Sequence, residues 1–431
     1  MKGDHIKGII VQTSIIRAII VCSLGYFIDI FDIQLFAVLR VSSLTELGVP
    51  PDRLPEVGGY ILNAQMAGMI AGAFLWGWLG DKFGRLKALY GSILIYSLGT
   101  LACAVIHDPL TYGVCRFVTG FGLAGETGAA VTLVAELMSP KNRAWGVTIV
   151  GGIGAFGPVF ATLLAWFWDW RTTYVIAGVM GLGLLVLRLR LVEPALFQKI
   201  HVSDNIRGSL KLFLNPRMTL MLLCCMAIGL QIPYSVNLLN FYSLEISKSV
   251  LGAGEIFDQK LCMLLFYVGI GLGNVSCGAI SQLWQSRRKT LFSFLLCGAI
   301  TTGVYLFVCP VVKITAHEMY GLNFILGFTL SSLILVMLMT AEHFGTNIRA
   351  TATALVANAQ RASVIPMIFA LQGLNGTISF ASSAAVIGAI LYIAAFLALG
   401  RLRETHGRNL DYRERRGIRF KSRASAFRDG G

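Results

Sequence analysis

The chain is built from apolar runs of about twenty residues separated by short polar breaks, and no other feature restricts its fold as much. A run such as Phe257 to Leu283 or Ile378 to Leu399 is long enough to cross roughly 30 Å of hydrocarbon as a helix. Inside a bilayer every backbone amide needs an internal partner, so only helices and closed barrels can span it. Barrel strands alternate apolar and polar residues, whereas these runs are continuous. Hydrophobic residues make up 55% of the chain and charged residues 13%, about half the charged share of a typical soluble domain. The mean hydropathy is +0.70. With 431 residues there is room for about twelve spans. The expected fold class is therefore an all-α membrane protein.

The first span is expected near Ile15 to Leu39, after a short N-terminus, residues 1–14. Residues 15–191 hold six spans. Residues 192–217 form the longest interior break, polar around Ser203, Asp204, Asn205 and Arg207. Residues 218–400 hold six more spans, and residues 401–431 form a basic tail. Lys and Arg number 36; on the proposed spans 28 fall on one face, 6 on the other and 2 within the membrane. This is the positive-inside pattern, and it places both termini in the cytoplasm of a plasma membrane, the inner membrane in a bacterium. Topology accounts for the net charge of +14 without a nucleic-acid partner. The basic tail is suited to anionic headgroups of the bilayer. The nine cysteines form no C-x-x-C pair and read as small buried hydrophobes. The six histidines lack metal spacing, so neither a metal nor another cofactor is expected.

Polar residues in the breaks repeat between the halves. Glu136 and Arg143 are seven apart, at the break before the fifth span. Glu342 and Arg349 are also seven apart, at the corresponding break of the second half. The cassette Gly80-Asp81-Lys82-Phe83-Gly84-Arg85 closes the second span, and Gly278 to Lys289 is its degenerate counterpart. Two matches at equivalent positions support duplication of a six-helix unit. Asp81, Arg85, Glu136, Arg143, Glu342 and Arg349 share one face of the membrane and are assigned to gating.

Several stretches carry a family resemblance. Gly77 to Lys87 resembles the loop between helices two and three of the major facilitator superfamily. The stretch Gly25-Tyr-Phe-Ile-Asp29-Ile-Phe-Asp32 is similar to the acidic first helix of that superfamily's metabolite:proton symporters. Arg116 to Glu126 is similar to the fourth helix of those symporters and of sugar porters. Trp170-Arg171 and Glu193-Pro194 are similar to both. The resemblance implies twelve helices in two pseudo-symmetric six-helix bundles. It also implies an inter-helix charge network involving Arg116 and Glu126. Antiporters of the superfamily tend to follow Gly-Pro on helix five with a Gly-Gly pair. Here Ala161-Thr162 follow Gly157-Pro158, which weakens an exporter reading.

Charges within spans are costly, at least about 2.5–3.5 kcal/mol at a helix centre, and they mark function or buried pairing. Asp29 and Asp32 share one face of helix one. Two nearby carboxylates in a low dielectric cannot both ionise easily, which suits proton exchange. Arg116 is too far along helix four to pair with Glu126 and is expected to meet a helix-one carboxylate. Asp29, Asp32, Arg116 and Glu126 are thus assigned to proton coupling. Arg361 has no acidic residue at matching depth in its own half, so its partner is either a helix-one carboxylate or an anionic cargo. Its planar fork suits a carboxylate or phosphate. Gln231, Tyr234 and Asn237 share a face of helix seven, and Asn358 lies one turn before Arg361. These residues, with Tyr26 and Gln65, complete the candidate cargo site, although amides in membranes also serve as interhelical bonds.

The chain has no nucleotide loop and no nucleophile–base spacing, so it is not expected to be an enzyme. The leading expectation is a secondary active transporter, functional as a monomer. It would couple proton entry to uptake of a small organic anion, a carboxylate metabolite or polycarboxylate siderophore, by alternating access. An exporter or antiporter of the same fold is the alternative. A receptor or sensor is a further one, disfavoured because the tail is too short for a signalling domain.

Overall fold

The computed structural model describes residues 2–83, 85–125, 143–191, 215–345 and 348–407. The described helices group into two sets of six. The first comprises α1 (Lys2–Glu46), α2 (Leu54–Phe83), α3 (Arg85–Cys103), α4 (Pro109–Leu123), α5 (Arg143–Ala155 continued by Gly157–Phe167) and α6 (Trp170–Leu191). The second starts with α7, a stack of Pro216–Gly229, Gln231–Tyr234, the π-helical Ser235–Asn240 and Ser243–Val250. It continues with α8 (Gln259–Leu283), then α9 (Arg287–Gly303, π-helical Val304–Val308 and Cys309–Val312). The last three are α10 (Ala316–Thr329 with Leu333–His343), α11 (Arg349–Asn375) and α12 (Phe380–Arg401). Among the described residues, seven helices are long and apolar enough to cross a membrane by composition alone. The charged α1 lies outside that set. The protein is an integral membrane protein of all-α class.

The end where α1 begins and α12 finishes is the base; the opposite end is the apex. Large apolar side chains such as Phe74, Leu110, Leu283, Phe307 and Leu397 stand exposed around the outside. Buried polar groups, among them Asp29, Asp32, Arg40 and Arg116, lie within. That distribution is unstable in water and natural in lipid.

Each half is held by the same device. In α2, Gly68 and Gly72 lie directly against the Phe117 and Phe121 carbonyls of α4; in α8, Gly269 and Gly273 lie against the Phe324 and Phe328 carbonyls of α10. From the other side, Gly120 and Gly327 lie against the carbonyls of Gln65 and Phe266. A Cβ at any of these positions would collide with backbone, so glycine is what lets the helices approach. The duplication expected from the charged breaks is thus present in the packing itself. The halves meet where α5 lies on α8 and α2 on α11.

The helix edges differ from expectation at α1, which continues to Glu46. Between Leu39, where the apolar run ends, and Gly48 there is neither glycine nor proline, so the helix outlasts the apolar run. Arg40, just beyond the apolar run, is therefore inside the protein with no exposed surface. Trp170 is also buried, whereas Trp166 and Trp168 are exposed.

Candidate functional site

Four helices of the first half converge on Asp32. The Arg116 guanidinium of α4 lies 3.3 Å from Asp32 Oδ1 and donates to the Asp32 carbonyl at 2.9 Å. From α3, Thr100 donates to Asp32 Oδ2 at 2.6 Å. From α2, Gln65 accepts from Arg116 Nε at 3.3 Å and donates to the Ile33 carbonyl at 3.1 Å. Asp32, Arg116, Thr100 and Gln65 are all buried. Arg116 has therefore found the helix-one carboxylate its depth required. Gln65, expected at the cargo site, is bonded into this charge network. A buried pair of this kind stays put only while both charges are present.

One turn earlier on α1, Asp29 is also buried. Here the second half enters. Arg361 of α11 is half-buried and donates to Asn358 Oδ1 at 3.2 Å. Its charge acts on Tyr26 and Asp29 across the junction of the halves. Tyr26 packs against Gly154 of α5, where a Cβ would strike the ring. The structure thus brings together Tyr26, Asp29, Asn358 and Arg361.

The helix-seven residues divide. Gln231 donates to Ser332 Oγ of α10 at 3.2 Å. The Tyr234 hydroxyl donates to the Ala384 carbonyl of α12 at 2.7 Å. Asn237 donates to the Pro233 carbonyl at 3.2 Å. Tyr234 is fully buried and its ring lies against Gly388, so it faces its own half.

Toward the apex the halves are bridged. Arg40 of α1 and Glu245 of α7 form two 2.9 Å contacts, with the guanidinium over the Phe241 and Tyr242 rings at 4.6 and 5.2 Å. Tyr267 of α8 donates to Gln34 of α1 at 2.9 Å. Lys260 donates to the Ala165 carbonyl at 2.6 Å. None of these cross-half bonds was legible as a pair, because the partners sit far apart in sequence and at the ends of different spans.

At the base, the polar residues of the second half are interconnected. Arg287, which opens α9 as Arg85 opens α3, lies 3.7 Å from Glu342. Glu342 also accepts from Thr405 at 2.7 Å, and Arg349 donates to the Ala341 carbonyl at 2.8 Å. Glu404 accepts from the amides of Arg287 and Arg288 at 2.9 and 3.1 Å and from Ser286. Burial pushes the Glu404 carboxyl up, but these bonds, with the His406 amide, outweigh it and hold the group at about 2. A depressed carboxylate stabilises the fold above its ordinary value of 4.5 and ceases to as pH falls toward 2. Glu404→Gln is accordingly expected to lower the melting temperature by a few degrees at neutral pH, with the gap to wild type narrowing below 4.5 and closing only as pH reaches about 2. Thermal unfolding in detergent across that range checks this. Glu126 and Glu136 lie outside the described residues, as do the side chains of Asp81, Arg85 and Arg143. Among the described residues, no group of three or more His, Cys, Asp or Glu is placed to hold a metal.

Two bundles with a shared packing device, buried charges at their junction and a polar base agree with one known family. Residues 22–365 match the Major Facilitator Superfamily. The chain belongs to the Major Facilitator Superfamily. Its helices superpose on the major facilitator proton:xylose symporter XylE with a TM-score of 0.69 at 17% identity, covering 93% of this chain and 98% of that one. The chain is 25% identical to a gentisate transporter of Corynebacterium glutamicum over 93% of its own length and 91% of the relative's. It is 26% identical to a putative niacin/nicotinamide transporter of Bacillus subtilis over 43% of its length, a match spanning 46% of that relative. This major facilitator protein is a membrane transporter, not an enzyme.

Proposed function

We propose that the chain is a proton-coupled importer of a small organic anion, with aromatic carboxylates the leading class, and that it works by alternating access. The observation that carries this reading is Arg361. It is a half-buried guanidinium where the halves meet, its fork oriented by Asn358 and its charge directed at Tyr26 and Asp29. A fixed cation at such a junction selects an anion, and the guanidinium fork matches a carboxylate. Gentisate and niacin in the relatives' names are aromatic acids, and the nicotinamide that the second name also carries is the neutral amide of niacin. The buried Asp32–Arg116 pair supplies a carboxylate whose protonation would release an arginine. The basic loops support an orientation with the base in the cytoplasm. On that orientation the bridged apex is the outer gate, and Asp81, Arg85, Glu136, Arg143, Glu342 and Arg349 belong to the inner one.

Proteoliposome uptake tests the proposal, using labelled gentisate, nicotinate and a neutral sugar as control, with and without an inward proton gradient. Accumulation of a carboxylate only with the gradient supports it. Sugar uptake, or efflux driven by the gradient, overturns it. Arg361→Lys keeps the charge and loses the fork, and is expected to raise the KM for the carboxylate about tenfold, or about 1.4 kcal/mol. Arg361→Ala should raise it further without lowering the melting temperature. Unchanged affinity with lost stability would instead make Arg361 a structural partner of Asp29.

A further inference from the structure

Between Asp32 and the apex lies a group of hydroxyls and thiols that neither the cargo site nor the gates use. Ser43 of α1, Cys103 of α3, Tyr112 of α4 and Tyr174 of α6 have no exposed surface. Ser43 Oγ and the Tyr112 hydroxyl are 3.3 Å apart, and the Tyr112 and Tyr174 hydroxyls 2.6 Å apart; at both contacts either oxygen can donate. Cys103 ends α3 one turn beyond Thr100, the residue that bonds Asp32, and lies beside Cys115 of α4. The Tyr174 ring centre is 5.9 Å from the Arg116 guanidinium. Above the group, Trp170 stacks on Tyr112 and donates to Glu46 at 2.7 Å. Glu46 is exposed at the apex and also binds Arg171 at 3.2 Å.

Phenols buried this way need partners, and the Tyr112–Tyr174 bond supplies one. Packing alone does not call for four proton-bearing groups, drawn from four helices, to line the way from an exposed carboxylate to a buried one. We propose that the Tyr112 and Tyr174 hydroxyls, with Ser43 above and Cys103 below, carry the proton between the apex surface and the Asp32 carboxylate. This rests on the proton-coupled reading above. In the transfer each hydroxyl and the Cys103 thiol accept one proton as they release their own, so no phenolate or thiolate forms and the one added proton ends on Asp32. Cys103 hands the proton to Asp32, whose carboxylate then no longer holds Arg116 by charge. Thr100 from α3 and Arg116 from α4 bond Asp32, Gln65 from α2 and the Tyr174 ring from α6 lie against Arg116, and Cys115 of α4 lies beside Cys103. Arg116 is the fixed charge that the arriving proton must overcome.

Tyr112→Phe and Tyr174→Phe keep the rings and remove the hydroxyls; Ser43→Ala and Cys103→Ala interrupt the ends. In proteoliposomes, each phenylalanine variant is expected to slow gradient-driven uptake about tenfold or more, with a larger slowing in D2O than wild type shows. Counterflow exchange, which moves no net proton, should stay within about twofold of wild type, with an unchanged melting temperature. Gradient-driven uptake at the wild-type rate in both variants overturns the proposal. So does a joint fall of uptake, exchange and stability, which would make the tyrosines packing elements. Wild-type uptake that ignores the proton gradient is a different result and removes the coupling reading beneath it.

Discussion

Asp32→Asn is expected to reduce gradient-driven accumulation to simple equilibration while leaving counterflow exchange measurable. The carboxylate is the only acidic group bonded to Arg116 among the described contacts, and it is bonded by Thr100 as well. An asparagine of the same shape can still accept from Thr100 but takes no proton at working pH. The coupling step is lost, whereas cargo movement in the exchange mode need not complete a proton cycle. The variant also leaves Arg116 buried without its anion, at a stability cost of about 3–5 kcal/mol. Asp32→Asn combined with Arg116→Gln removes both charges and should recover most of that stability without recovering accumulation. Accumulation that survives in Asp32→Asn with its pH dependence intact would move the role to Asp29 or Glu126.

How far the sequence foretold this arrangement depends on the kind of interaction. Depth in the membrane was enough for Arg116, because a buried arginine must find an anion and only the helix-one carboxylates lie at similar depth. Duplication was legible in the charged breaks. It was equally present in Gly68-x-x-x-Gly72 and Gly269-x-x-x-Gly273, a small-residue signal that the charges overshadowed. Polar residues of helix seven were harder to read. Gln231, Tyr234 and Asn237 share a face at ordinary helical pitch, but the π-helical turn at Ser235–Asn240 changes the register after Tyr234, and its hydroxyl is taken by α12. Gln65 has the same chemistry as a cargo ligand, and its bond to Arg116 depends on a position in space that spacing along the chain does not give. Arg40 and Glu245 were beyond reach, since they are 205 residues apart and each lies near the end of an apolar run.

That last pair carries the largest conformational prediction. Arg40 and Glu245 are 0% and 9% exposed, paired through both guanidinium nitrogens and capped by two aromatic rings, yet they belong to different halves. In a rocking transporter such a pair exists only while the apex is closed; once the halves separate, both charges meet water. Removing one partner therefore penalises the closed state alone. The cost of about 3–5 kcal/mol for breaking a buried pair becomes a shift of about a hundredfold or more toward the apex-open state. Arg40→Ala and Glu245→Gln are both expected to raise the labelling of a cysteine at Gln34 by an impermeant thiol reagent from the apex side, on a background lacking the native cysteines. They should also slow net uptake, because the return to the closed state becomes limiting. The exchanged pair Arg40→Glu with Glu245→Arg should restore part of the closure, as the attraction is regained but the rings then face the wrong partner. Unchanged labelling together with a lower melting temperature would make the pair an element of the fold, and the apex gate would have to be sought at Tyr267–Gln34 or Lys260–Ala165 instead.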